Sequence, residues 1–267
     1  MNLSDNIDYA VVGATQEEIS YICSYLKNPE EIKTRYLNPT VGDISGKKVL
    51  VTTCGIGITN ASICGTALFE NFDVGTLVSV GIAGAYDGTG IKKGDVAVAE
   101  EEVYADMGVW YEGSIDLLDK IGIPLFTSGK KNYFNRWPVT SPLLITVREL
   151  IANSPKMNDF SIYFGAFATV AAVSGSLARA AELRKIHDVL CENMEGAALA
   201  QVATIYGAKF FECRGISNIA GIRDKKEWKV DEAIRNVQRF LIQLLRSCWI
   251  FYERKWFAHI WFLSLSE

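Results

Sequence analysis

Five short apolar runs constrain this chain more than any other feature. They are YAVVGA (9–14), KVLVTTCGIG (48–57), TLVSVGIAGA (76–85), GDVAVAEE (94–101) and AKFFECRGIS (208–217). They are rich in Val, Ile and Ala, and several exit through glycine. Between them lie helical patterns, among them EEISYICSYL, ASICGTALFENF, SLARAAELRKIH and MEGAALAQVATIYG. Continuous apolar strands alternating with amphipathic helices predict an α/β fold, a single three-layer α/β/α domain around a mixed, largely parallel sheet. In such sheets ligands gather beyond the carboxyl ends of the strands, where the glycines of this chain sit.

No internal repeat and no dividing linker is visible, so residues 1–246 read as one domain. FTSGKKNYFNRWPVTSP (126–142) has no clear period and reads as a loop or excursion. Residues 247–267 read as an appended aromatic segment. A membrane span needs roughly 20 mostly apolar residues. Glu253, Arg254 and Lys255 would lie near the centre of such a span, at a heavy cost. The segment is therefore expected to pack on the body or meet a partner, and no membrane role is expected.

The 267 residues carry a net charge of −4, which argues against a nucleic-acid partner, since such proteins present a basic face. Six cysteines without a CxxC pair, and no basic-then-apolar leader pattern, predict reduced core thiols and a cytoplasmic protein. With only His187 and His259 present, neither a zinc site nor a Ser-His-Asp triad is expected. No metal and no organic cofactor is called for.

TTCGIGITNAS resembles a dinucleotide loop, but Asn60 stands where the third glycine belongs and no Gly-Lys-Ser/Thr occurs. Gly55 and Gly57 therefore serve either a close backbone approach to a ligand or a tight turn. SVGIAGAY (79–86) carries the same two readings.

The carboxylates at strand ends are more informative. Glu17 and Glu18 follow the first apolar run, and Glu195 stands between Met194 and Gly196 ahead of a small-residue helix. Acids opening a helix are common because they favour the positive end of the helix dipole, and that reading suits Glu17. A carboxylate beside a cleft can instead accept two hydrogen bonds from a vicinal diol such as a ribose.

Three stretches, VVGATQEEI, ENMEGAALAQV and RGISN, together resemble the nucleoside phosphorylase/nucleosidase family over most of residues 8–245. The resemblance implies Glu18 as the base that activates water, Met194 and Glu195 as ribose contacts, and Asn218 as the group that reads the purine N7. It also implies Ser217 as an orienting hydroxyl, with a plain turn-forming serine an equal reading, Ser79 and Gly81 near the water or ribose, and Phe167 and Val173 in the stretch beside the base, although a buried core Phe is the more common explanation for Phe167. Ordinary packing remains the first reading for Tyr104, Trp110 and Tyr111, with cover for a 5′ substituent the second. A homodimer or higher homo-oligomer is implied in the same way.

Position 218 separates the subtypes. Methylthioadenosine/adenosylhomocysteine nucleosidases have Asp there. An Asn amide nitrogen carries two hydrogens, which suit the O6 and N7 acceptors of a 6-oxopurine. Two carboxylates in GATQEEIS, without an arginine, suit water better than phosphate. With Gly-Ile-Arg-Asp and Trp228 following, the chain is most similar to futalosine hydrolases, which remove hypoxanthine from futalosine. An adenine-specific nucleosidase, a 6-oxopurine nucleoside phosphorylase and a non-catalytic nucleoside-binding protein remain the alternatives.

Overall fold

The computed structural model describes residues 6–112, 114–153 and 159–263. The side chains from 248 onward, which carry the aromatic tail, lie outside the described residues. In chain order the elements are β1 (Asn6–Gly13), α1 (Ser20–Ser24), β2 (Lys27–Glu31), β3 (Thr40–Ile44), β4 (Lys47–Thr53), α2 (Ile58–Asn71) and β5 (Asp73–Ala85). Then follow β6 (Val96–Tyr104), β7 (Gly108–Tyr111), β8 (Ser114–Leu117), α3 (Leu118–Ile121), β9 (Phe126–Ser128), β10 (Lys131–Tyr133) and β11 (Arg136–Pro138). The chain continues through α4 (Leu143–Asn153), β12 (Ile162–Thr169), α5 (Leu177–His187), β13 (Val189–Asn193), α6 (Gly196–Ile205), β14 (Lys209–Ile219) and α7 (Val230–Leu263).

Ten of these strands form one mixed sheet. β1 pairs in parallel with β4 and β5, β12 with β6 and β13, and β14 with β5. β13 meets β5 antiparallel, and β14 meets β6 antiparallel. The pairings β5–β14–β6–β12–β13–β5 therefore close on themselves, so these five strands have no free edge among them.

The two faces are covered as the strand composition requires. Leu68 and Ala67 of α2 and Leu199, Ala198 and Ala200 of α6 pack over Leu77, Phe210 and Ile216. On the other face Val237, Leu241 and Leu245 of α7, Val147 of α4 and Ile22 of α1 cover Val78, Phe211 and Cys213. Each large apolar side chain so enclosed contributes roughly 1.5–3 kcal/mol.

Three expectations change. The segment 126–142 is not a featureless loop: β9 and β10 form a hairpin, and β11 pairs with β6 at the sheet edge. The stack of Tyr133 on Trp137, 5.2 Å between ring centroids, fixes that hairpin to the body. The helical pattern 17–26 condenses to α1 alone, because the residues before it form the turn that presents Glu18. And β14 does not end at Ser217-Asn218. Ile216 pairs with Ala83 and Asn218 with Gly84, so Ser217 is an extra residue in the strand, a β-bulge, and pairing resumes to Ile219.

α7 is a single helix of 34 residues that passes position 246 without interruption. Among the described residues no helix is long and apolar enough to cross a membrane. Cys23, Cys54, Cys64, Cys191 and Cys213 are free thiols.

Candidate active site

The chain reverses tightly after β1, and there the carboxylate of Glu18 closes back on the backbone. Its Oε2 accepts from Ala14 N at 2.9 Å and Thr15 N at 3.1 Å, and its Oε1 accepts from Ile82 N of β5 at 2.9 Å. Three N–H groups on two elements thus fix a side chain that is only 5% exposed. Gly81 lies beneath it: a methyl there would sit 2.5 Å from Glu18 Oε1 and 2.7 Å from Arg214 Nη1.

The turn is also held from α7. Gln238 Oε1 accepts from Tyr21 N at 2.9 Å and Ile22 N at 3.2 Å, while its Nε2 donates to Glu17 O at 3.0 Å. Glu17 itself is exposed. Its own backbone N–H, with help from Thr15, holds its carboxyl below the usual value.

Glu195 stands at the N-terminus of α6 yet does not cap it. Asn193 Oδ1 accepts from Glu195 N and Gly196 N at 2.9 and 2.7 Å, and Thr169 Oγ1 accepts from Ala197 N at 2.8 Å. With those orphan amides satisfied by other side chains, the Glu195 carboxylate reaches across the site. Its Oε1 accepts from Gly57 N at 2.9 Å and its Oε2 meets Arg214 Nη1 at 3.3 Å. The Gly-rich loop after β4 thus serves the carboxylate. Gly57 has φ +96°, a conformation that favours glycine, and this directs its N–H at Glu195. In the same loop, burial and then the charge of Glu195 push the Cys54 thiol up to about 12, so it stays neutral.

Arg214 is the residue that the sequence analysis missed. It is 1% exposed, and its guanidinium binds Glu212 Oε1 through Nε at 2.7 Å, Glu195 through Nη1, and Ser79 Oγ through Nη2 at 3.0 Å. Burial works against its charge, but Glu212, Glu195 and Glu18 outweigh it and hold the guanidinium above its ordinary value. A signal for it was present. Phe210, Glu212, Arg214 and Ile216 recur with period two in β14, which places opposite charges two residues apart on a buried face.

Ser79 is therefore engaged within the site, between Arg214 and Glu212. At the bulge, Ser217 Oγ lies 2.8 Å from Asn218 Oδ1 and 3.2 Å from Ala83 O. Donation to Oδ1 turns the amide oxygen of Asn218 toward Ser217 and leaves Nδ2 as its donor end. Asn218 Nδ2 is 3.1 Å from Ile219 O, so one of its two hydrogens is already engaged. Asn218 pairs beside Gly84, where a methyl would come within 3.1 Å of its Nδ2.

Met194 is half-buried next to Glu195. Val173 is 38% exposed in the turn after β12, which Asp106 and Glu192 fasten by accepting from Ala171 N and Ser174 N at 3.1 and 2.9 Å. Of the two readings of Phe167, the structure takes the core one. It is wholly enclosed in the core beside Cys191 and α6, so it supports the site from behind without lining it. Tyr104 is also buried, donating to Gln201 Oε1 at 2.8 Å, whereas Trp110 and Tyr111 are exposed on the β7–β8 hairpin. Trp228 folds back on the turn after β14, its indole N–H donating to Ile222 O at 3.1 Å under the Arg223 guanidinium.

A base candidate, a second carboxylate fixed across from it and an oriented amide at the end of one strand suit a reaction in which water attacks a sugar carbon. Comparison with known proteins agrees. The sequence profile of the phosphorylase superfamily matches residues 8–248. The chain is 32% identical over 202 residues to a futalosine hydrolase of Thermus thermophilus, covering 76% of this chain and 83% of that one. It is 27% identical over 241 residues to a 5′-methylthioadenosine/S-adenosylhomocysteine nucleosidase of Geobacillus sp., covering 89% and 97%. The nucleosidase of Neisseria meningitidis, solved with methylthio-immucillin-A, shares the fold with a TM-score of 0.76 at 22% identity, covering 90% of this chain and 99% of that one. With its carboxylates and amide at the strand ends, the chain belongs to the phosphorylase superfamily, in which it is an N-glycosyl hydrolase.

Proposed function

We propose that the protein hydrolyses futalosine, releasing hypoxanthine and dehypoxanthine futalosine, within the futalosine route of menaquinone biosynthesis. The observation that carries this reading is the Asn218 amide, turned by the Ser217 hydroxyl so that it offers a donor where an adenine-specific site would need an acceptor. A 6-oxopurine presents only acceptors along its O6–N7 edge, and leaving one unpaired costs about 1–3 kcal/mol.

In the proposed mechanism the glycosidic bond lengthens first. Asn218 stabilises charge developing on the departing base, which an amide can do without transferring a proton. Glu195, fixed by Gly57 and Arg214, holds the ribose hydroxyls, with Met194 packed beside them. Glu18 takes a proton from the water that attacks C1′, a step worth typically 10²–10⁴-fold. Arg214 is committed to Glu212, Glu195 and Ser79, so its charge is not offered to phosphate. Reduced thiols in the core fit a cytoplasmic setting, and a homo-oligomer is part of the same proposal.

One observation favours a second reading, a 5′-methylthioadenosine/S-adenosylhomocysteine nucleosidase. With one Asn218 hydrogen on Ile219 O, the amide retains one hydrogen, enough for the N7 of either base. Futalosine, inosine and methylthioadenosine, each incubated with and without phosphate and followed by chromatography of the released base, separate the two. Hypoxanthine from futalosine, independent of phosphate, supports the first reading. Adenine from methylthioadenosine alone supports the second, and phosphate-dependent release overturns both.

A further inference from the structure

Two buried acids, Glu102 and Glu212, have no part in the mechanism above, and both are wholly enclosed. Glu102 is brought to this face by a bulge in β6: Gly165 pairs with Ala99 and Ala166 with Glu101, so Glu100 is extra. Its Oε1 accepts from Asn193 Nδ2 and its Oε2 from Thr169 Oγ1, both at 2.7 Å. Glu212 Oε1 accepts from Arg214 Nε at 2.7 Å and Ser79 Oγ at 3.3 Å. Glu212 Oε2 is buried without any N–H or hydroxyl donor. What it meets is the other carboxyl group: the two acids converge over Gly196, where a methyl would overlap both Glu102 Oε1 and Glu212 Oε2.

Two carboxylates do not remain in contact in a dry interior unless a proton lies between them. We propose that Glu102 and Glu212 share one proton, and that this proton-sharing pair positions Arg214, and through it Glu195, for the reaction. The charges around the pair agree. Arg214 is the cation, and Glu195 and Glu18 already face it. Tyr104, Cys191 and Cys54 are neutral groups kept so by burial. A second charge on the pair would set four carboxylates around one guanidinium. Burial, followed by the charge of Glu212, holds the Glu102 carboxyl well above the usual carboxylate range.

The pair works through a hydrogen-bonded relay. The shared proton allows Glu212 to lie against Glu102 while its other oxygen holds Arg214 Nε, and Arg214 Nη1 then holds Glu195. Loss of the proton drives the acids apart and draws Arg214 away from Glu195. Glu102 and Glu212 are positioning residues, because neither touches the reacting atoms in the mechanism above.

The test has two arms. The first is infrared spectroscopy of the unliganded protein at pH 8, where exposed carboxylates are ionised. A carbonyl stretch of one neutral carboxylic acid is expected, and it should vanish in Glu102→Gln, whose amide supplies the hydrogen in place of the proton. This arm needs no substrate, so it stands whichever base is released. The second arm is the pH dependence of kcat/KM on the substrate identified by base release. Glu102→Ala should lower kcat/KM about tenfold, equivalent to roughly 1.4 kcal/mol, and Glu102→Gln should restore most of it. Wild type should lose activity as pH rises through the pair's titration, and Glu102→Gln should not. Absence of the acid signal in wild type overturns the proposal. So does an alkaline limb that survives in Glu102→Gln.

Discussion

Arg214 Nη1 lies 3.3 Å from Glu195 Oε2, with the two side chains 2% and 7% exposed, so the guanidinium governs where that carboxylate points. Removing one partner of a buried ion pair costs about 3–5 kcal/mol, because the other charge is left unmatched. Arg214→Met should therefore lower the urea midpoint sharply. Arg214→Lys keeps a charge but lacks the planar fork that reaches three partners. It should fold, while losing at least about tenfold in kcat/KM. Chemical denaturation and steady-state rates check both, and an unchanged midpoint in Arg214→Met would mean that the pair contributes nothing net.

Glu18→Gln keeps the size of the side chain and removes its basicity. The expected result is a fall in kcat of about 10²–10⁴-fold with KM within a few-fold of wild type. Single-turnover rates with isothermal titration of substrate separate the two effects. Retained turnover would remove Glu18 as the base.

Gly81→Ala tests the same carboxylate from beneath. The added methyl, 2.5 Å from Glu18 Oε1 and 2.7 Å from Arg214 Nη1, has to displace one of them. A loss of activity close to that of Glu18→Gln is expected, with a stability cost of about 1–3 kcal/mol for overpacking. Normal turnover in Gly81→Ala would show that Glu18 need not be held where it stands.

Ser217→Ala releases the amide oxygen of Asn218 and should reduce preference for the 6-oxopurine over adenine by about two- to tenfold, the worth of one hydrogen bond. Asn218→Asp should go further, weakening hypoxanthine release and raising adenine release. Competition between the two nucleosides in one reaction gives the ratio directly. An unmoved ratio in both variants would take base selection away from this bulge.

His187 carries a pH prediction of definite sign. Burial lowers its tendency to protonate, its Nε2 faces Ala105 O at 2.8 Å, and its Nδ1 is enclosed without a partner. A folded-state value below that of the unfolded chain means stability that is present above about pH 6.5 and lost as pH falls through the folded value. Thermal midpoints of wild type should decline over that acidic interval. His187→Gln, which retains a donor for Ala105 O, should flatten the decline.

Much of this could be read from the sequence, for physical reasons. The apolar runs announced β1, β4, β5, β6 and β14 because strands buried on both faces must be apolar throughout. Glu195 stood out as an acid between Met194 and a small-residue helix, whereas Glu18 was separated from Glu17 only by the resemblance. β12 and β13 were harder: Gly165 interrupts IYFGAFAT, and VLCEN is only five residues long. Arg214 was overlooked since FFECRGIS was weighed as a whole, whereas its charges only make sense when alternate residues are separated onto two faces. Ser217 appeared to end a strand because no local pattern distinguishes a bulge from a stop. Phe167 left two readings open, beside the base or in the core, because only strand phase decides which face it takes, and that phase turned it into the core.

Gln238 ties α1 to α7. Two backbone amides at the start of α1 have their acceptor 217 and 216 residues away, on α7. The turn that bears Glu18 is thus fastened twice over, locally by the amides of Ala14, Thr15 and Ile82 and remotely by Gln238, so a change in α7 is felt at a carboxylate on the far side of the chain.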